Sequence, residues 1–238
     1  TVALRPVSGF VFRTGGAANG LYADDLNADP VDPPRVGTWA TKYIHEMQVV
    51  TYASGPLAGQ QIAFACTGFN GGWTSTGLTI LDVTDKSDIQ VMDEVFWSNA
   101  GYSHQAWLSP DRQYLYLNDE LDEGSFGLTT TTHVIDVADP YDATWLGTFT
   151  NGKAATGHNL YVKGNRIYEG NYHTGLRVFD STNALAPSEV AYFDTYEPDN
   201  ASGFNGMWGN FPFFPSGVVI ASDRSKGLFA FWVGDPPL

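Results

Sequence analysis

Apolar and polar positions alternate with a period of two through most of this chain. The pattern is clear in IHEMQVVTY (44–52), QQIAFACTG (60–68), RQYLYLNDE (112–120), NRIYEGNYH (165–173) and GVVIASDRS (217–225). Such alternation predicts short half-buried strands, because successive side chains of a strand point to opposite faces. No segment has a convincing helical period.

The strands repeat. GLYADDLN (20–27), GLTILDVTD (77–85), TTHVIDVAD (131–139), GLRVFDSTN (175–183) and GLFAFWVGD (227–235) resemble one another, and four of the five begin Gly-Leu. Upstream lie the strand openings IHEMQVVTY, SHQAWLSPD, GHNLYVKGN and GFNGMWGNF. A second strand follows each opening, and IQVMDEVFW, TWLGTFT and EVAYFDTY follow the repeated Asp. The spacing of roughly 44 to 57 residues is that of a four-stranded propeller blade.

The predicted fold is therefore all-β: a β-propeller of four-stranded antiparallel blades, about five in this chain. The whole is read as one propeller domain, with blades over 1–41, 42–98, 99–150, 151–197 and 198–238. The last of these ends without a fourth strand. Open sheet edges invite further pairing, so the expectation is part of a larger, seven-bladed ring lacking N-terminal blades. A missing segment or another chain would complete it.

Composition narrows the function. The 238 residues carry 26 Asp plus Glu against 12 Lys plus Arg, a formal net charge of -14. Such acidity disfavours nucleic acid and anionic lipid surfaces as partners and favours cations, basic partners or solubility in salt. No apolar run is long enough to span a bilayer, and TVALRPVSGF carries no signal-peptide pattern. Cys66 is the single cysteine; it excludes an intrachain disulfide and a thiolate-rich zinc site, and is expected to be buried.

The segments HEMQVVTYASGPLAGQQIAF (45–64), SHQAWLSPDRQYLYLNDELDE (103–123), GHNLYVKGNRIYEGNYHTGLRVFD (157–180) and FNGMWGNFPFFPSGVVIASDRSKGLFAF (204–231) resemble the choice-of-anchor B family, whose propellers carry LVIVD-type repeats. The resemblance runs from about residue 8 to the end. It implies a secreted or surface-attached bacterial propeller with a variable anchor. HEMQVV departs from the family pattern, which has an Asp after the His and a Cys after the Gln, and so does His173 in NYHTG. The resemblance brings architecture rather than activity.

Four groups of residues could carry chemistry. His45, His104 and His158 open the first strand of three successive blades, and with Glu46 as a neighbour they could hold a divalent metal such as zinc. Asp119 and Glu120, followed by Asp122 and Glu123, form an oxygen-rich turn that suits calcium, with a solvated acidic turn as the alternative. Glu46, Glu169 and His173 are candidates for acid–base work in a hydrolase or lyase. Trp208, Phe211, Phe213 and Phe214, with Trp73 and Trp107, offer an aromatic surface for a sugar or a protein. No complete nucleophile, phosphate-loop or dinucleotide motif is present. The leading reading is a noncatalytic extracellular or cell-surface scaffold with a protein or surface partner; a metal-binding propeller and a central-pocket enzyme are the alternatives.

Overall fold

The computed structural model describes residues 2–5, 8–16, 20–68 and 75–234. Trp73 and Asp235 lie outside them. Among the described residues nineteen strands form five antiparallel sheets in which neighbours along the chain are neighbours in the sheet. The first sheet is β1 (Val2–Arg5), β2 (Phe10–Arg13), β3 (Leu21–Asp25) and β4 (Arg35–Trp39). The second is β5 (Ile44–Thr51), β6 (Gln61–Thr67), β7 (Gly77–Asp82) and β8 (Gln90–Val95). The third is β9 (Ser103–Leu108), β10 (Tyr114–Asp119), β11 (Thr131–Asp136) and β12 (Thr144–Thr150). The fourth is β13 (Asn159–Lys163), β14 (Arg166–Gly170), β15 (Leu176–Asp180) and β16 (Ser188–Phe193). The fifth has three strands, β17 (Met207–Phe211), β18 (Val218–Asp223) and β19 (Gly227–Trp232).

The sequence repeat corresponds to the third strand of each sheet. Where a fourth strand exists, the register shifts at the same place: after Ala23, Ile80, Val134 and Val178. A bulge at this point increases the local twist of the outer edge. Two residues earlier in the pattern, Leu21, Leu78, Thr132 and Leu176 face Trp39, Val95, Phe149 and Phe193. Each outer strand thus covers the repeated position with a large apolar side chain.

The chain divides into two compact units, residues 1–97 with 102–106 and 139–143, and residues 98–101, 107–138 and 144–238. In the first, Phe12, Leu21 and Trp39 pack with Ile44, Met47 and Leu81. In the second, one core joins Tyr116, Val134 and Phe149 to Leu160, Ile167 and Phe179, and another joins Tyr168, Leu176 and Val178 to Met207 and Val219. Cys66 is buried, as its apolar strand requires.

One element departs from the all-strand expectation. Residues Asp122–Phe126 form a single helical turn, α1, closed by Gly127 in the left-handed conformation (φ 68°). The turn is too short to leave a helical period in the sequence. Its effect is large, because it folds the acidic stretch inward. Among the described residues, no helix is long and apolar enough to cross a membrane.

Candidate functional sites

The acidic stretch Asn118–Glu123 sends its side chains to three places. Asp119 ends β10 and is fully buried. Its carboxylate accepts the Gly101 N–H at 2.8 Å and the Leu121 N–H at 3.1 Å. A Cβ on Gly101 would lie 2.8 Å from that carboxylate and 2.5 Å from the Asp122 nitrogen, so the close approach requires glycine. Asp122 and Glu123 point into the protein from α1 and are buried as well. The solvated acidic turn is therefore incorrect for Asp119, Asp122 and Glu123: the helical turn re-aims them, which strand alternation could not anticipate.

Glu123 Oε1 accepts the Thr131 N–H at 3.1 Å and the Gly157 N–H at 3.2 Å, while Oε2 has no hydrogen-bond donor. Neither oxygen of Asp122 has one. His133, on β11, brings its Nε2 to 3.9 Å from Asp122 Oδ2. Ligand atoms of Asp119, Asp122 and His133 all lie within 4.8 Å of one another. Burial, with the neighbouring carboxyl groups, raises the pKa of both Asp122 and Glu123, and burial depresses His133 to about 3. His133 was not legible as a site residue; it occupies the repeat position held elsewhere by Tyr22, Thr79, Arg177 and Phe229.

Glu120 turns the other way. Its Oε1 accepts the Tyr172 hydroxyl at 2.9 Å and lies 3.4 Å from His158 Nε2. The opposite ring nitrogen of His158 donates to the Trp208 carbonyl, so Nε2 faces the carboxylate and a proton between them satisfies both. In the first unit, the His45 and His104 rings stand 4.4 Å apart. The Tyr102 hydroxyl is hydrogen-bonded with His45 Nδ1 at 3.1 Å, and burial lowers the His45 pKa to about 4. His45 is the extra residue of a bulge between Ile44 and Glu46, with Glu46 half-buried beside it on β5.

Glu169 and His173 do different work. Glu169 is 1% exposed; Oε2 accepts the Asn171 amide at 2.8 Å and Oε1 lies 2.7 Å from Thr132 Oγ1. The same hydroxyl lies 2.9 Å from Asn118 Oδ1. One hydroxyl hydrogen cannot serve two acceptors. A protonated Glu169 resolves the conflict by donating to Thr132, which donates to Asn118. Burial raises the Glu169 pKa to about 7, opposed by the hydrogen bonds that Asn171 and Thr132 would give the ionised carboxylate. His173 instead pairs with Asp199, Nδ1 to Oδ1 2.7 Å, and lies against the Tyr196 ring at 4.3 Å.

The aromatic candidates separate by exposure. Trp107 and Phe213 are half-buried and pack with Tyr161, at 4.8 Å (Trp107–Tyr161) and 5.7 Å (Phe213–Tyr161) between centroids. Trp208, Phe211 and Phe214 are exposed. Trp208 is the bulged residue of β17, which the register skips between Met207 and Gly209.

A further exposed group lies on β19. In the Gly-Leu repeat, Leu21, Leu78 and Leu176 are 0%, 0% and 2% exposed, but Leu228 is 73% exposed. The preceding glycines tell the same story. A Cβ on Gly20, Gly77 or Gly175 would strike the carbonyl oxygen of Trp39, Val95 or Phe193 at 1.7, 2.6 or 2.1 Å; on Gly227 it would meet nothing within 4 Å. Trp232 is also exposed.

No family model and no curated protein matches the sequence. Solved structures do resemble the fold. A protein from Lactobacillus plantarum aligns with TM-score 0.73 at 14% identity, over 98% of this chain and 66% of its own. The periplasmic gluconolactonase PpgL of Pseudomonas aeruginosa aligns with TM-score 0.68 at 13% identity, over 98% and 68%. The dihydro-heme d1 dehydrogenase NirN aligns with TM-score 0.57 at 13% identity, over 85% of this chain and 38% of its own. This chain thus spans about two thirds of the first two and less of the third. At these identities the likeness shows the β-propeller fold alone.

Proposed function

We propose that this chain is a noncatalytic propeller scaffold, extracellular or cell-surface, whose fifth sheet is completed by a further strand antiparallel to β19, supplied by another segment of the same protein or by another chain. The observation that carries the reading is Leu228, exposed at the repeat position that an outer strand covers in the sheets of Leu21, Leu78 and Leu176. Strand addition combines main-chain hydrogen bonds, which give affinity, with alternate side chains, which give selectivity. By analogy with Trp39, Val95, Phe149 and Phe193, the incoming strand carries a large apolar residue opposite Leu228. Its bulge falls opposite Ala230 and Phe231. The export of the chain and its kinship to the choice-of-anchor B family belong to the same proposal. The kinship is supported by the sequence repeat, and the export by that resemblance together with a structural neighbour that is periplasmic.

A peptide of residues 188–196, SEVAYFDTY, is a suitable probe, since within the chain it covers Leu176 with Phe193. It should bind the chain saturably and change Trp232 fluorescence. Leu228→Asp should weaken binding by tenfold or more, about 1.4 kcal/mol. Absence of binding, or binding indifferent to Leu228→Asp, would remove the reading.

A further inference from the structure

The unsatisfied group at α1 asks for a positive charge. Asp122 is fully buried; its carboxylate oxygens have no hydrogen bond of good geometry, and the side chain close enough to share a proton with them is the carboxyl of Glu123. A carboxylate left so costs several kcal/mol unless it is neutralised or paired. Its neighbours add to the demand. An oxygen of Asp119 lies within 4.8 Å of an Asp122 oxygen, and the unpartnered Glu123 Oε2 belongs to the next residue. Ligand atoms on opposite sides of a calcium ion, at 2.3–2.6 Å each, are about 5 Å apart, so oxygens of Asp119 and Asp122 within 4.8 Å of each other can share one ion.

His133 decides which cation suits the cluster. The Trp145 indole N–H, which can only donate, points at His133 Nδ1 at 3.1 Å. In the neutral ring the proton is then on Nε2, the nitrogen nearest Asp122. A histidine that ligates zinc has the reverse arrangement: the far nitrogen donates and the near one offers its lone pair. This geometry offers carboxylate oxygens and withholds the imidazole, a set for hard cations.

We propose that Asp119, Asp122 and Glu123 form a buried calcium-class site that ties the end of β10, through α1, to the backbone of Thr131 and Gly157. Gly101 and Leu121 N–H groups hold Asp119, and Thr131 and Gly157 N–H groups hold Glu123. Asp122, which neither of these two pairs of N–H groups holds, takes its orientation from the ion. Because strand addition at β19 uses other residues, the two proposals stand or fall separately.

The test is thermal melting of the full chain, unfolded in urea with chelator and refolded with either chelator or millimolar calcium, since the site is sealed in the folded state. Calcium should raise the Tm of the wild type by several degrees, with one ion retained per chain after gel filtration. Asp122→Asn should reverse the order: its amide can donate to the adjacent carboxylates, so the calcium-free variant should melt above the calcium-free wild type, with no response to calcium. An unfolded variant would leave the wild-type calcium response and stoichiometry to decide. No calcium-dependent shift in the wild type would overturn the proposal. So would an undiminished shift in a folded Asp122→Asn, or retention of zinc in place of calcium that His133→Ala abolishes.

Discussion

Replacing Glu169 by Gln should make the protein more stable at pH 8 and leave it nearly unchanged at pH 4. The wild-type carboxyl is fully buried, and its folded pKa of about 7 stands above the ordinary value of 4.5. A group with a raised folded pKa contributes stability that is complete below the unfolded pKa and is lost as pH rises through the folded one. The window here runs from about 4.5 to about 7. Across it the wild type loses on the order of 3 kcal/mol relative to the variant, at 1.36 kcal/mol per unit. Gln suits the site because its NH2 replaces the carboxyl hydrogen in donating to Thr132, while its carbonyl still accepts from Asn171. In the calcium-free chain Asp122 and Glu123 titrate in the same sense, so the informative quantity is the difference between wild type and variant in urea unfolding with chelator at each pH. A constant difference from pH 4 to 8 would mean that Glu169 does not hold a proton in the relay.

Gly175→Ala should be among the most damaging single-methyl changes in the chain, and Gly227→Ala should be mild. Both glycines have positive φ, 70° and 90°, so each substitution carries a backbone strain of roughly 1–2 kcal/mol. Only at Gly175 does the new methyl also meet the Phe193 carbonyl, 2.1 Å away. Relief requires moving β16 away from β15, uncovering Leu176 and breaking ladder hydrogen bonds. The expected loss is about 4 kcal/mol or more, the range reserved for combined strain and packing defects. Gly227 has no such neighbour, and its variant should lose about 1–2 kcal/mol. Chemical denaturation of the two variants measures the contrast. Equal losses would mean that the outer strand does not restrain the repeated glycine.

These residues also mark how far the sequence could be read. The Gly-Leu repeat and its alternating strands define the five sheets, because a period of two and a recurring turn glycine leave direct traces in the order of residues. The one repeat without Gly-Leu, TTHVID, is where the polar interior lies: Thr132 replaces the buried Leu and joins the relay to Glu169. That break was visible, but its meaning depended on Asn118 and Glu169, which only the sheet registers bring together. Asp122 and Glu123 were recognised as an acidic group, and their burial was missed. A five-residue helical turn has no periodic signature, and His133 looked like any repeat position. Exposure at Leu228 could not be inferred from the Gly-Leu motif, since the same two residues are buried in three other sheets.

Hydrogen–deuterium exchange along β19 tests the central claim most directly. The third strands of complete sheets, β3, β7, β11 and β15, are paired on both sides, whereas among the described residues β19 pairs only with β18. In the chain alone, alternate amides of β19 should exchange rapidly while those of β7 and β15 are protected. Adding SEVAYFDTY should slow that alternating set in β19 and leave the other sheets unaffected. Protection of every β19 amide before the peptide is added, or no change after saturation with it, would contradict the account.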